Sequence, residues 1–256
     1  MRSRSSAPSC VSTSSWIALA LVLPSLAACA ENRPTFFVRE VKVPEGDDCL
    51  LEPGNPYISS GVLDVAFRFS YVAPLSLVNQ TFDRSEMMPL YLDNGGINVE
   101  GAEVELHQDA PEGALIDVGG GQTAFTTYAV GYVPSTEPGD ISEAVVPFDI
   151  LPLSLGVQLA ENLATAEVPF IRILAGVRVF GRGLHGYEVE TPQFFFPIDV
   201  CFGCLVAFPA DANDPENPAG ICDSTDAPDG SACFLGQDRP LDCRYCVNSH
   251  PTICGP

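Results

Sequence analysis

The chain has 256 residues, of which 46% are hydrophobic, and its 33 acidic residues against 12 basic ones give a formal net charge of −21 at pH 7. A body this acidic repels phosphate backbones and anionic lipid headgroups, so the composition argues against a nucleic-acid partner and against electrostatic binding to a membrane. The length allows one large domain or two small ones.

The N-terminal stretch MRSRSSAPSCVSTSSWIALALVLPSLAAC has the parts of an export signal. Arg2 and Arg4 stand in a Ser-rich lead, and the apolar run Trp16–Ala28 follows. This run is too short to cross a hydrocarbon core about 30 Å thick, but its length suits the apolar region of a signal peptide. The alternative, a buried core helix, is disfavoured by Pro24 within the run. We therefore predict a signal peptide over residues 1–28.

The signal ends in Leu-Ala-Ala-Cys, residues 26–29, which resembles the lipobox of bacterial lipoproteins. The resemblance implies lipidation of Cys29, a lipid-anchored N-terminus over residues 29–32, and attachment to a membrane without spanning it. In lipoproteins of this kind, an Asp directly after the lipidated cysteine is the signal for retention. This chain has Ala30 at that position, which resembles the sorting signal for the outer membrane. The alternative is ordinary cleavage after small residues, which leaves Cys29 free.

The body, residues 33–200, carries the alternation of half-buried strands. In VLDVAFRFSYV, residues 62–72, the apolar side chains fall on one face, while Asp64, Arg68 and Ser70 fall on the other. The segment FIRILAGVRVFGR, residues 170–182, repeats the pattern. Further strands are predicted around residues 36–43, 97–106, 123–133, 140–148 and 193–201.

One helix and one irregularity complete the predicted body. In PLSLGVQLAENLA the leucines at 155, 159 and 163 are spaced by four, which predicts a short helix. In INVEGAEVEL the apolar residues change from odd to even positions, and a β-bulge at Gly101 would restore the register of the strand. About seven strands separated by Gly, Pro and Asn turns predict an all-β fold, an antiparallel immunoglobulin-like β-sandwich with one short helix and an irregular, disulfide-rich C-terminal tail.

The order of these parts distantly resembles the sandwich of late embryogenesis abundant group 2 and water-stress (WHy) domains. Those families carry Asn-Pro-Asn after an early strand, whereas this chain has Val78-Asn79-Gln80. The likeness is therefore architectural, and it implies a non-enzymatic stress or envelope role.

The tail, residues 201–256, is rich in cysteine. Besides Cys10 in the signal and Cys29, eight cysteines remain: Cys49, Cys201, Cys204, Cys222, Cys233, Cys243, Cys246 and Cys254. Seven of these lie in the tail, so complete intramolecular pairing requires at least one bond to Cys49. An exported protein meets an oxidising environment, which favours disulfides, although the sequence leaves their connectivity open.

Two alternatives give these cysteines a chemical role. Cys201, Cys204, Cys243 and Cys246 form two Cys-x₂-Cys pairs that could hold zinc, but 38 residues separate the pairs, where zinc ribbons have about 15–20. A thiol-redox role needs a helix after the first cysteine to activate its thiol, and LVAFPADANDPEN predicts none. The tail pattern C…GQDRPLDCRYC…C resembles the C-termini of uncharacterised secreted lipoproteins of myxobacterium-like bacteria, and this resemblance implies no activity.

Other residues give little indication of catalysis. His107 and His185 lack the spacing of a zinc protease and are predicted to be surface residues, Ser154 lacks the Gly-x-Ser-x-Gly context, and the glycines at 119–121 lack a phosphate-loop lysine. Five aspartates in the tail could bind Ca²⁺ but miss the EF-hand spacing, so a solvated loop is preferred. They are Asp211, Asp214, Asp223, Asp226 and Asp229.

The sequence thus predicts a lipid-anchored lipoprotein of the outer membrane that acts as a structural or binding module without catalysis or cofactor. Its expected contacts are the membrane, through the lipid, and an envelope protein or polysaccharide. The alternatives are a zinc-binding or thiol-redox protein, and a hydrolase with an unrecognised site. The ligand, the oligomeric state and the face of the membrane cannot be read from the sequence.

Overall fold

Two β-sheets share one hydrophobic core in the computed structural model. The structure describes residues 34–46, 48–81, 95–109, 124–136, 140–165, 168–209, 222 and 233–254. Its strands are β1 (Phe36–Lys42), β2 (Tyr57–Ile58), β3 (Gly61–Asp64), β4 (Tyr71–Asn79), β5 (Ile97–Asp109), β6 (Ala124–Val133), β7 (Ser142–Leu151), β8 (Phe170–Gly183), β9 (Glu188–Glu190), β10 (Phe194–Cys201), β11 (Val206–Ala207) and β12 (Leu241–Asp242). The helices are α1 (Leu153–Leu163), a 3₁₀ turn (Cys243–Tyr245) and α2 (Pro251–Cys254).

The first sheet has the strand order β2-β1-β4-β7. The second has the order β3-β10-β8-β5-β6, with β9 added beside β8. Inward side chains of both sheets, among them Leu75, Phe148, Val177 and Phe196, form one buried cluster. The prediction of an all-β sandwich with a disulfide-rich tail is confirmed.

Helix α1 covers part of this core with the leucines at 155, 159 and 163, as their spacing predicts. Gly156 lies directly against the backbone carbonyl of Phe69, where a Cβ atom would collide with it. The helix therefore approaches the chain between β3 and β4 more closely than any other residue type at position 156 would allow.

The β-bulge predicted at Gly101 is confirmed. The pairing of β5 with both β6 and β8 shifts register between Val99 and Gly101. The extra residue, Glu100, restores the alternation, so that Val99, Ala102 and Val104 all face the core.

The prediction of one continuous strand over residues 62–72 is wrong. β3 ends at Asp64, a turn follows, and β4 begins at Tyr71 in the other sheet. The amides of Phe67 and Arg68 both donate to the Asp64 carbonyl, which closes the turn. The alternation of apolar and polar residues continues through the turn because the apolar side chains before and after it are buried in the same core. Those before the turn belong to the second sheet, and those after it belong to the first.

Among the described strands, two pairs depart from the predicted antiparallel arrangement. β3 pairs with β10 in parallel, placing Asp64 opposite Cys201, and β11 pairs with β12 in parallel. β10 is antiparallel to β8 on its other side. The parallel pair brings Asp64 beside the start of the tail, which positions the site below.

No helix among the described residues is long and apolar enough to cross a membrane.

Candidate functional site

Asp64 and the CFGC loop (residues 201–204) meet where the tail leaves β10. Asp64 is fully buried, although its place in the sequence pattern predicted an outward, polar position. The Asp64 side chain lies on the face of β3 that the pattern predicted, but the tail covers that face at this position. Asp64 Oδ1 accepts hydrogen bonds from the amides of Gly203 (2.7 Å) and Ala66 (3.1 Å), and Oδ2 accepts one from Leu205 (2.9 Å). One carboxylate therefore holds the turn after β3 and the loop after β10 together.

The structure joins all eight cysteines of the body and tail in four disulfides, with Cα–Cα distances of 5.6 to 5.9 Å. The pairs are Cys49–Cys233, Cys201–Cys204, Cys222–Cys243 and Cys246–Cys254. Cys49 bonds to the tail, as the odd number of tail cysteines requires. The four cysteines of the alternative zinc set are divided among three disulfides, so their thiols are not free to form that centre.

The CFGC loop closes on itself and does not tie the tail to the sandwich. Its disulfide spans three residues, whereas Cys49–Cys233 spans 184. In the chain-entropy description the short loop contributes about 2 kcal/mol and the long one about 5 kcal/mol. Cys49–Cys233 is therefore the disulfide that ties the tail to the sandwich.

A second connection between the tail and the sandwich is made by the segment GQDR, which we call the docking segment (residues 236–239). Gln237 is 2% exposed, and its side-chain amide accepts from Val72 N (3.0 Å) and donates to Val72 O (2.7 Å). The Gln237 side chain thereby makes the two hydrogen bonds that a neighbouring strand would make at the start of β4. Asp238 exchanges backbone and side-chain bonds with Val62 of β3, which links the segment to the second sheet as well.

Asp238 also accepts a hydrogen bond from the buried hydroxyl of Tyr71, at 2.7 Å from Oδ2. Burial raises the pKa of the Asp238 carboxyl, and its hydrogen bonds oppose that shift in part. The pKa of Tyr71 is raised well above its ordinary value, first by burial and then by the charge of Asp238. Gly61 leaves the space for the Tyr71 ring, which a Cβ atom there would overlap.

The rest of the described tail forms a small core of its own. Its buried residues are Cys222, Leu241, Cys243, Cys246 and Cys254. Phe67, from the turn after β3, packs against this cluster and meets the His250 ring edge-on at 5.1 Å between centroids. The tail is thus built around disulfides and one aromatic side chain contributed by the sandwich.

A buried polar cluster on the first sheet bears on the hydrolase alternative. Lys42, the only lysine, pairs with Glu40 at 2.6 Å and lies 3.9 Å from Glu143. Ser76 is fully buried and donates its hydroxyl to Glu143. A serine in this position offers no accessible nucleophile, and the cluster satisfies buried charges.

The remaining predicted site residues are dispersed. His107 and His185 are exposed, as expected, and His107 lies 3.7 Å from Glu105. Cys29, the glycines at 119–121 and the five tail aspartates lie outside the described residues. Among the described residues, the group with metal-ligand chemistry is Asp64, Cys201 and Cys204.

The sequence pattern does not predict the role of the docking segment, although the tail pattern contains GQDR. The indication in the sequence is the residue types, because a run with Gly, Gln and Asp between cysteines carries amide and carboxylate groups that can replace the hydrogen bonds of a strand. The partners on β3 and β4 are more than 160 residues away.

A comparison with models of protein families finds no match to this chain, and a comparison with curated proteins also finds none.

Proposed function

We propose that the protein is a lipid-anchored lipoprotein of the outer membrane and serves as a structural or binding module of the cell envelope. The observation that carries this proposal is the pairing of the cysteines. The eight cysteines from Cys49 to Cys254 form disulfides with one another, so none of them is bonded to Cys29. After removal of residues 1–28, Cys29 is the one cysteine left for a thioether to lipid.

The disulfides also support export. Four disulfides in one chain are typical of proteins that fold in an oxidising compartment. The predicted signal peptide leads to such a compartment, and a lipid on Cys29 would keep the folded body at the membrane.

A binding rather than catalytic role is supported by the outer face of β6, an edge strand of the second sheet. Tyr128 is 79% exposed, Val130 95% and Tyr132 43%. Exposed aromatic and β-branched side chains in one row suit contact with another envelope component, a protein or a polysaccharide.

The anchor is tested by labelling growing cells with a radioactive fatty acid. We expect label in the wild-type protein and in Cys10→Ala, a matched control whose altered cysteine leaves with the signal. We expect no label in Cys29→Ala. Label retained in Cys29→Ala, or absent from the wild type, would reject the lipoprotein proposal.

A further inference from the structure

Three metal-binding atoms lie together at the CFGC loop. A carboxylate oxygen of Asp64 and the Sγ atoms of Cys201 and Cys204 are all within 4.8 Å of one another. Asp64 and Cys201 are register partners in the parallel pair of β3 and β10, and Cys204 follows three residues later. The sheet sets the spacing of Asp64 and Cys201, which therefore does not depend on the disulfide.

The loop would keep its shape if the Cys201–Cys204 bond opened. Asp64 holds the amides of Gly203 and Leu205, and Gly203 takes a left-handed conformation at φ +75° that glycine adopts without strain. Val65 also donates to the Cys201 carbonyl. None of these hydrogen bonds involves a sulfur atom, so reduction removes none of them.

This disulfide also has the cysteine most accessible to a thiol in solution. Cys204 is exposed, while Cys49 is half-buried and the other six paired cysteines are buried. Thiol–disulfide exchange requires access to the sulfur that is attacked. We therefore expect Cys201–Cys204 to be reduced first.

Reduction changes the charge balance of the loop. A cation bound by both sulfurs as thiolates and by the Asp64 carboxylate would lie among three negatively charged ligands. Two thiolates and one carboxylate match the ligand preferences of zinc, which binds sulfur at about 2.3 Å and oxygen at about 2.0–2.2 Å. A water molecule could reach the fourth position from the exposed side of Cys204.

We propose that reduction of Cys201–Cys204 creates a binding site for a zinc-class divalent cation, with Asp64, Cys201 and Cys204 as its protein ligands. This inference goes beyond the envelope role and does not depend on it. Binding to the reduced form alone would make metal affinity and reduction of the loop mutually reinforcing.

The chemistry balances with an external thiol as the reductant. A thiolate attacks Sγ of Cys204, the sulfur–sulfur bond breaks, and Cys201 leaves with the electron pair and takes a proton. A second thiol attacks the mixed disulfide, forms the external disulfide and releases Cys204 as a thiol. The cation then displaces two thiol protons as both sulfurs bind it.

The first test establishes which disulfide opens. The full-length protein is reduced with limiting dithiothreitol, alkylated, and mapped by mass spectrometry. We expect labels on Cys201 and Cys204 before any other cysteine. Earlier labelling of any other disulfide, whether Cys49–Cys233, Cys222–Cys243 or Cys246–Cys254, would overturn the proposal.

The second test uses Co²⁺ as a coloured substitute for Zn²⁺, after dithiothreitol has been removed without air. We expect the reduced protein to bind one Co²⁺ per chain with a thiolate-to-cobalt charge-transfer band, and the oxidised protein to show no such band. Cys204→Ser should bind at least tenfold more weakly with a weaker band. The matched double variant Cys246→Ser/Cys254→Ser should bind like the wild type.

Asp64→Asn tests the carboxylate, with circular dichroism to verify folding. A folded Asp64→Asn that binds at least tenfold more weakly supports the assignment. If it fails to fold, the comparison of Cys204→Ser with its control decides the proposal. Absence of the charge-transfer band from the reduced wild type, or an unchanged affinity in Cys204→Ser, would overturn it.

Discussion

Tyr71 and Asp238 are 167 positions apart in the chain and meet where the tail docks on the sandwich. Asp238 takes a left-handed backbone conformation at φ +60°, which Asp tolerates better than most residues. Its carboxylate binds a hydroxyl from β4 and an amide from β3, one from each sheet. Asp238 Oδ2 also accepts from Gln237 Nε2 (3.1 Å), so loss of the Tyr71 hydroxyl removes one of two donors from a buried carboxylate oxygen.

Replacement of Tyr71 by Phe tests this contact. We expect the free energy of unfolding at pH 8 to fall by about 1–2 kcal/mol, because the hydroxyl that Asp238 accepts from is lost. Urea denaturation measures the change. Tyr57→Phe, at a tyrosine 65% exposed, is the control and should change stability by less than about 0.5 kcal/mol.

The same pair of variants has an expected pH dependence. Folding raises the pKa of Tyr71, so the stability that its neutral hydroxyl supplies is complete below about pH 10 and is lost as the pH rises through the raised pKa. The difference between wild type and Tyr71→Phe should therefore shrink above pH 10. A difference that stays constant or grows would contradict this role for the hydroxyl.

At the scale of elements, the sequence pattern identified β1, β5, β6, β7, β8, β10 and α1 because each has a regular period and one face in the core. It failed at residues 62–72, where the chain changes sheets within a turn that preserves the alternation. It also gave no sign of the parallel pairing of β3 with β10, because register between distant strands is set by tertiary contacts. The Asp64 site depends on that pairing and could not be foreseen.

The cysteine count predicted one bond from Cys49 to the tail but not its partner, because spacing alone does not determine connectivity. The structure supplies Cys233 as that partner and assigns very different loop lengths to the four disulfides. The longest loop should restrict the unfolded chain most.

Removing disulfides one at a time tests this order. We expect Cys49→Ala/Cys233→Ala to lower the free energy of unfolding by about 5 kcal/mol, and Cys201→Ala/Cys204→Ala to lower it by about 2 kcal/mol. Guanidinium denaturation under non-reducing conditions measures both. An equal loss in the two variants, or a larger loss from the CFGC pair, would contradict this order.

The tail and the sandwich belong to one compact unit, Pro34–Pro256. Cys49–Cys233, the docking segment and the Asp64 carboxylate all join them. Without residues 1–28 the chain keeps 10 basic and 33 acidic residues, a formal charge of −23. Anionic headgroups would repel such a surface, so the proposed attachment to a membrane would rest on the proposed lipid at Cys29.

The proposed mature chain begins at a lipidated Cys29 and holds four disulfides. The most direct measurement is the intact mass of the exported protein before and after alkylation without a reductant. We predict a chain starting at Cys29 that carries the added mass of its acyl groups and gains nothing on alkylation. A chain that begins elsewhere, an unmodified Cys29, or the mass of alkylated thiols would contradict it.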